Sequence, residues 1–354
     1  MIQKGSKVTI NEIANAVGVS KTTVSRYLNG RLDLMSKKTA ERIKAVIELS
    51  DYNPSEFARA LKSHKTRMIG VVISDIESPW SSSIISACGA ELRRHGYTPI
   101  FMDSSNSEEE EREVVSALAA RGVDGLIINT SSYHNKYLIE YAAKEIPIVL
   151  CDRYIKDYNF DIATFEAENS MLALIRHLHE QGFTRLAMFT QEWQNISSRF
   201  RKIEGYKKAV SQIYGFPEQN SIYTIHIGDI QGTILQIRKF MSTVEPGEKP
   251  VIICINTMTT FHVLSCLQRE ALSIPRDIGL CGSDDWGWDE DVSLAGTLYP
   301  PITTIRIDSK EIGRQCASLM LDRIKDNGQS VKTIQVPCTI SVRASTLLKK
   351  PTSK

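Results

Sequence analysis

The sequence predicts a small all-α headpiece of helix-turn-helix type, followed by a large α/β region of two doubly wound parallel-sheet lobes. Three observations carry this prediction. Between Val8 and Asn29, apolar residues recur at helical spacing on both sides of a glycine. From Met68, short apolar strands alternate with longer amphipathic segments, and βαβα alternation implies a parallel sheet covered by helices on both faces. The alternation runs to about residue 165 and then begins again.

In VTINEIANAVGVSKTTVSRYLN, Ile10, Ile13, Ala14 and Val17 form one apolar helical face. Asn11 or Thr9 can cap that helix, because either side-chain oxygen can accept from an unpaired backbone N–H. Gly18 ends it, since glycine takes a left-handed C-cap without steric cost. Ser20 caps a second helix, with Val24 and Leu28 inward and Lys21, Thr22, Ser25 and Arg26 outward. Two short helices joined this way fit a second helix seated in a DNA major groove. Arg26 can grip guanine O6 and N7 together, and Thr22 can reach base edges or a thymine methyl. Thr23 and Ser25 are short donors suited to phosphate, with Thr9, Ser20 and Asn29 as further phosphate candidates. A solvated helix of an ordinary helical domain would carry the same residues, so the next segment decides.

After GRLDLM a third helix is expected over residues 36–50, capped by Ser36. Ala40, Ile43, Val46, Ile47 and Leu49 supply the face that closes a three-helix core. In DYNPSEFARALKSHKT, Pro54 suits the first turn of a helix. Residues 55–63 hold helix formers but too few apolar residues for a core of their own. Such a helix needs a partner, either a second chain or DNA.

Together, VTINEIANAVGVSKTTVSRYLNG and YNPSEFARALKSHKT resemble the DNA-binding headpiece and hinge of the LacI/GalR family of bacterial repressors. The resemblance implies that Lys21, Thr22 and Arg26 read bases in half of a palindromic operator. It also implies a homodimer whose hinge helices pair in the minor groove, with Ala58 and Leu61 at the contact. Apolar wedges of that kind kink DNA.

Composition agrees. Residues 1–66 hold 12 Lys+Arg against 6 Asp+Glu, and the remainder holds 31 against 35. A basic end on a mildly acidic body suggests that only the N-terminus meets nucleic acid. All seven cysteines lie in the body without a C-x-x-C pair. Cys151, Cys254 and Cys281 sit in apolar runs, which points to buried free thiols and a reduced, cytoplasmic setting. The N-terminus is polar, with no signal peptide visible, and no apolar run approaches the ~20 residues of a membrane span.

In the body, strands are expected at 68–74, 98–103, 125–130, 146–152, 185–190, 221–227, 251–256, 278–283, 303–308 and 333–342. Helices are expected at 84–95, from 108, at 171–181, near 200–214, 230–241 and 259–270, and at 309–327. The acidic run Glu108–Glu111 reads as a solvated helix start. ARGVDGLIIN, GLCGSDD and PPITTIRID resemble the same family's effector domain, which is similar to periplasmic sugar-binding proteins. The resemblance implies three crossings between lobes, near 165, 296 and 329. The expected domains are thus a headpiece (1–50), a hinge (51–66), a two-lobed effector and dimerisation region (67–346) and a tail (347–354). The first lobe takes about 67–165 plus 297–328, and the second about 166–296 plus 329–346.

Open α/β sheets bind ligands at the carboxyl ends of their strands. The candidates there are Ser74, Asp75, Trp80, Asn129 and Asp152 in the first lobe. In the second they are Arg199, Arg201, Lys202, Asp229, Asn256, Asp284 and Trp286. Carboxylates and amides can hold sugar hydroxyls, and tryptophans can pack on a sugar's C–H face. Local capping is the competing role for each, and the favoured one for Asp75 and Asp229. The resemblance favours Asn129, Arg201 and Asp284 as effector residues. The family commonly has an arginine three residues before the glycine of a Gly-aromatic pair; here that place is Lys202, before Gly205-Tyr206, so Arg199, Arg201 and Lys202 share the assignment. Thr257 stands where the family usually has aspartate, and Asp285-Trp286-Gly287-Trp288 is richer in aromatics than usual. Several cations would favour a sugar acid or sugar phosphate over a neutral sugar.

No G-x-S-x-G, H-E-x-x-H or phosphate-binding glycine loop is present. His177 and His179 point apart on a helix and make poor joint metal ligands. Neither catalysis nor a cofactor or metal is expected. The leading reading is a ligand-responsive transcription regulator, with no membrane association. The alternatives are a regulator controlled by a phosphorylated partner protein, as the resemblance allows, a sugar-binding protein without regulatory role, and an enzyme with a DNA-binding appendage.

Overall fold

The computed structural model describes residues 8–28, 30–50, 65–215, 221–287 and 292–348. Asn29, Trp288, the tail from Lys349 and the expected hinge helix, with Ala58 and Leu61, lie outside the described residues. Contacts divide the chain into two units, Met1–Arg67 and Met68–Lys354.

In the first unit, α1 (Ile10–Val17), α2 (Lys21–Leu28) and α3 (Lys37–Ser50) enclose Ile13, Ala14, Val17, Val24 and Ile43. Thr9, not Asn11, caps α1 in a reciprocal box with Glu12. Gly18 closes α1 at φ +73°, where the backbone is left-handed and a side chain would be strained. Ser20 Oγ accepts from Thr23 N and Ser36 Oγ from Thr39 N, both at 3.1 Å. Leu49 departs from expectation and is 87% exposed. It lies six residues from Ile43, off the i, i+3, i+4 stripe that Val46 and Ile47 continue.

The second unit opens with β1 (Met68–Ile73), α4 (Pro79–Arg94), β2 (Thr98–Asp103), α5 (Glu108–Ala120), β3 (Gly125–Ile128), α6 (Tyr137–Ala143), β4 (Ile148–Cys151) and β5 (Asp161–Phe165). Then follow α7 (Ala167–Gln181), β6 (Arg185–Thr190), α8 (Ser197–Tyr214), β7 (Ser221–Thr224), α9 (Ile230–Met241), β8 (Pro250–Cys254), α10 (Thr257–Arg269), β9 (Gly279–Ser283), α11 (Leu294–Thr297) and β10 (Thr303–Ile307). The chain ends with α12 (Ser309–Lys325), β11 (Thr333–Val336) and β12 (Cys338–Ser341). One sheet runs β2-β1-β3-β4-β5-β11 and the other β7-β6-β8-β9-β10-β12. The order is the same in both, and all pairs are parallel except β12 with β10. The two lobes therefore repeat one topology although their sequences show no clear repeat.

The crossings need correction. β10 pairs with β9, Thr303 opposite Cys281, so it belongs to the second lobe. The second crossing thus falls near Asp308 rather than 296. The third falls at Pro337 rather than 329. The stretch expected as one strand from 333 to 342 is two, β11 in the first sheet and β12 in the second. Proline has no N–H for a ladder, so the break falls there. Three further elements, α6, β5 and α11, had no expectation. Helix α4 begins at Pro79 instead of Ile84, and this places Trp80 on a helix rather than in a loop. It packs closely on α12, where a Cβ on Gly313 would come within 2.7 Å of Ile84 O.

The acidic run opens α5 as expected, but Glu111 is fully buried rather than solvated. It shares a helix face with Val115 and Leu118, at i+4 and i+7. Its carboxylate accepts from Thr130 Oγ1 (3.0 Å), Asn135 Nδ2 (2.6 Å), Tyr137 Oη (2.7 Å) and Ser131 N (2.5 Å).

Candidate functional site

The headpiece presents Lys21, Thr22 and Arg26 on the exposed side of α2, opposite the buried Val24. Thr22 and Arg26 are four residues apart and therefore adjacent on the helix. Three phosphate candidates, Thr9, Ser20 and Thr23, already have intramolecular work. Thr9 Oγ1 bonds to Glu12 Oε2 at 2.9 Å, and Ser20 Oγ lies 2.9 Å from Thr23 Oγ1. Arg42 of α3 donates to Val17 O and ties down the end of α1.

In the second unit a cleft opens where the carboxyl ends of the two sheets face each other. It encloses about 110 Å³ and is partly open to solvent. Ser74 and Asp75 follow β1, Asn129 follows β3, and Asp152 follows β4; Trp80 faces in from α4. From the second lobe come Arg199 and Lys202 of α8, Asn256 after β8 and Asp284 after β9.

Three expected residues are not in the cleft wall. Arg201 is turned one residue away from Lys202 on α8 and donates to Thr164 Oγ1 (3.0 Å) and Phe165 O (3.1 Å) at the first crossing. Asp229 caps α9, accepting from Gly232 N at 2.9 Å. Trp286 follows Asp285, whose carboxylate faces the protein interior, and lies beyond the residues that line the cleft. The lysine at the family's arginine position thus faces the cleft, and Arg199 joins it one turn earlier.

Several lining groups are braced internally. Asn129 accepts from Ser74 Oγ at 2.5 Å and donates to Cys151 O at 2.8 Å. Asn256 caps α10 through Thr259 N and donates to Gln191 Oε1 at 2.8 Å. Asp152 and Asp284 occupy the same register place in the two sheets. Asp152 N donates to Ala163 O on β5, and Asp284 N to Ile305 O on β10. Both have left-handed backbones, at φ +62° and +72°, which aspartate tolerates better than most residues.

Lys202 Nζ lies 3.9 Å from Asp284 Oδ1 and donates to Ile255 O at 3.1 Å. Burial pushes the Asp152 and Asp284 carboxyls above the usual carboxylate range, against the pull of Lys202. Asp284 Oδ1 is itself buried and has no hydrogen-bond partner. Burial and the neighbouring Arg153 charge bring Arg199 down to about 10.

Arg153, Gln191, Asn106, Ser198 and Thr257 also line the cleft, and none of them was a sequence candidate. The repeat would have found Gln191, because it follows β6 as Ser74 follows β1. Hydrogen bonds tie the lobes beside the cleft. Tyr133 N donates to Asn195 O (2.8 Å) and Tyr154 N to Ser197 Oγ (2.9 Å), with Tyr133 stacked 6.3 Å from Phe200.

Elsewhere, among the described residues, no group of three His, Cys, Asp or Glu could hold a metal ion, and no helix is long and apolar enough to cross a membrane. All seven cysteines are free. His177 Nε2 is satisfied by Thr346 Oγ1 at 2.8 Å.

Residues 66–344 match the model for periplasmic binding proteins and the sugar-binding domain of the LacI family, and residues 9–55 match that for bacterial regulatory proteins of the lacI family. The chain is 31% identical over 339 residues to the HTH-type transcriptional regulator KdgR of Bacillus subtilis, covering 95% of this chain and 97% of that one. It is 29% identical to the transcriptional regulator PtxS of Pseudomonas putida, covering 96% of each. Its fold is similar to that of a lac repressor dimer bound to operator and the anti-inducer ONPF (TM-score 0.80, 22% identity, 97% of this chain and 100% of that one). A complex of the regulator CelR with cellobiose is also similar (TM-score 0.67, 20% identity, 96% and 99%). With a helix-turn-helix headpiece and a two-lobed body of the periplasmic-binding type, the chain belongs to the LacI family of DNA-binding transcriptional regulators.

Proposed function

We propose that this regulator binds a near-palindromic operator as a homodimer in the cytoplasm and responds to a small carbohydrate held between its lobes. The observation that carries the ligand reading is the buried Asp284 Oδ1, which has no hydrogen-bond partner in the cleft wall. A buried acceptor left unpaired costs about 1–3 kcal/mol, and a ligand hydroxyl would supply the missing donor. Ligand bridging both lobes would favour their closure and change the order of residues 55–63, with Leu61 as the minor-groove wedge.

The test is an operator gel shift at fixed salt with and without a panel of sugars, alongside thermal melting. A sugar should change operator affinity and raise the melting temperature; no effect from any sugar would defeat the reading. Asp284→Ala is expected to lose the sugar-induced rise, and a full rise in that variant would remove Asp284 from the site. Arg26→Ala is expected to reduce the preference for operator over random DNA by roughly 1–3 kcal/mol, the worth of one two-bonded base contact. Competition with random DNA measures it, and an unchanged ratio would exclude Arg26 from base reading.

A further inference from the structure

We propose that the cleft's ligand is a sugar acid, and that its carboxylate lies between Arg153 of the first lobe and Arg199 of the second. This rests on the reading that a carbohydrate fills the cleft. Arg153 follows β4, Arg199 sits in the first turn of α8, and both line the same cavity.

Neither guanidinium has an ion-pair partner among the described residues. Arg153 donates to Asn106 Oδ1 (3.3 and 3.4 Å) and to Thr130 O (3.1 Å). Arg199 donates to Glu192 O (2.6 Å) and to Gln191 Oε1 (3.0 Å). All these acceptors are neutral. Of the other half-buried arginines of the body, Arg323 is matched with Asp161 at 2.7 Å and Arg343 with Asp285 at 2.6 Å, while Arg201, outside the cleft wall, bonds neutral oxygens. Two arginines that line one cavity and act on each other suit an anion, since guanidinium grips a carboxylate through two parallel hydrogen bonds. Their mutual repulsion opposes lobe approach, and a bridging anion would reverse that term.

Asp75 and Asp152 both act on Arg153, and Asp75 also on Arg199. Lys202 lies 3.9 Å from Asp284 and also acts on Asp152, so the cations and carboxylates that line the cleft balance. Glu111 stands behind Arg153 but is already enclosed by four donors. With the lining charges balanced, a singly charged carboxylate suits the arginine pair better than a phosphate dianion, and the carboxylates near Lys202 suit hydroxyl donors. A ligand with a carboxylate at one end and hydroxyls along the rest fits both.

The experiment is calorimetric titration of the full chain with D-gluconate, D-glucuronate and D-galacturonate, against D-glucose, D-galactose and glucose 6-phosphate. At least one acid should bind tenfold or more tightly than its neutral parent and than the phosphate. Arg153→Gln and Arg199→Gln should each weaken that acid tenfold or more and shrink its advantage over the neutral sugar, while melting of the free variants stays cooperative. Arg199→Lys should retain part of the preference. Tighter binding of a neutral sugar or of the phosphate would overturn the carboxylate assignment and leave the carbohydrate reading intact. So would Gln variants that keep the full acid preference. Binding of no sugar at all would overturn both. Should a variant fail to fold, the acid-to-neutral ratio of the parent protein decides.

Discussion

Glu111→Ala should destabilise the two-lobed body by on the order of 4 kcal/mol, because it leaves four donors without their acceptor. The carboxylate is fully buried, and Thr130, Asn135 and Tyr137, which donate to it, are themselves at most 4% exposed. Water cannot replace it without opening the loop between β3 and α6. The damage should extend to the cleft, since Thr130 O holds Arg153 at 3.1 Å. Urea unfolding of the variant measures the effect, and a loss below about 1 kcal/mol would mean that the loop repacks around the gap. Glu111→Gln should cost less, because its amide keeps one acceptor.

Arg343→Ala should cost about 3–5 kcal/mol, the usual penalty for removing one partner of a buried pair. Arg343 reaches both oxygens of Asp285, at 2.6 and 2.9 Å, and also bonds Ile302 O and Ser293 Oγ. The side chains are 19% and 6% exposed, so solvent screens the pair little. Burial raises the Asp285 carboxyl, but Arg343, Thr304 and Ser293 together hold it below its ordinary value of 3.8. A lowered folded-state pKa gives stability that is fully present above the unfolded value and is lost as pH falls through the folded one. The gap between parent and variant should therefore be widest at neutral pH and should narrow below 3.8. A gap that does not change with pH would separate Asp285 from the effect.

Helix periodicity was enough to locate the headpiece, because capping residues and apolar spacing are local properties. Thr9, Gly18, Ser20 and Ser36 all act within a few residues of their place in the chain. Most strand positions in the body, though not β5, were legible for the same reason, since strands buried on both faces read as continuous apolar runs. Sheet membership was not legible, because pairing partners lie far apart in sequence. Nothing local assigns Thr303–Ile307 to the second lobe; only its pairing with β9 does.

The cleft divides along the same line. That polar residues at strand ends would gather at one edge followed from the alternation of strands and helices. Which of Arg199, Arg201 and Lys202 faces the cleft depends on the rotation of α8 against the sheet, and a turn of one residue sends Arg201 to the first crossing. Arg153 escaped notice because its position beside Arg199 exists only once the lobes face each other. By itself the sequence determined the class of fold, because helical periodicity and the alternation of strands with helices depend on near neighbours in the chain. The tertiary structure alone decided the crossings, the burial of Glu111 and the pairing of charges across the cleft, because those depend on contacts between residues tens to hundreds of positions apart.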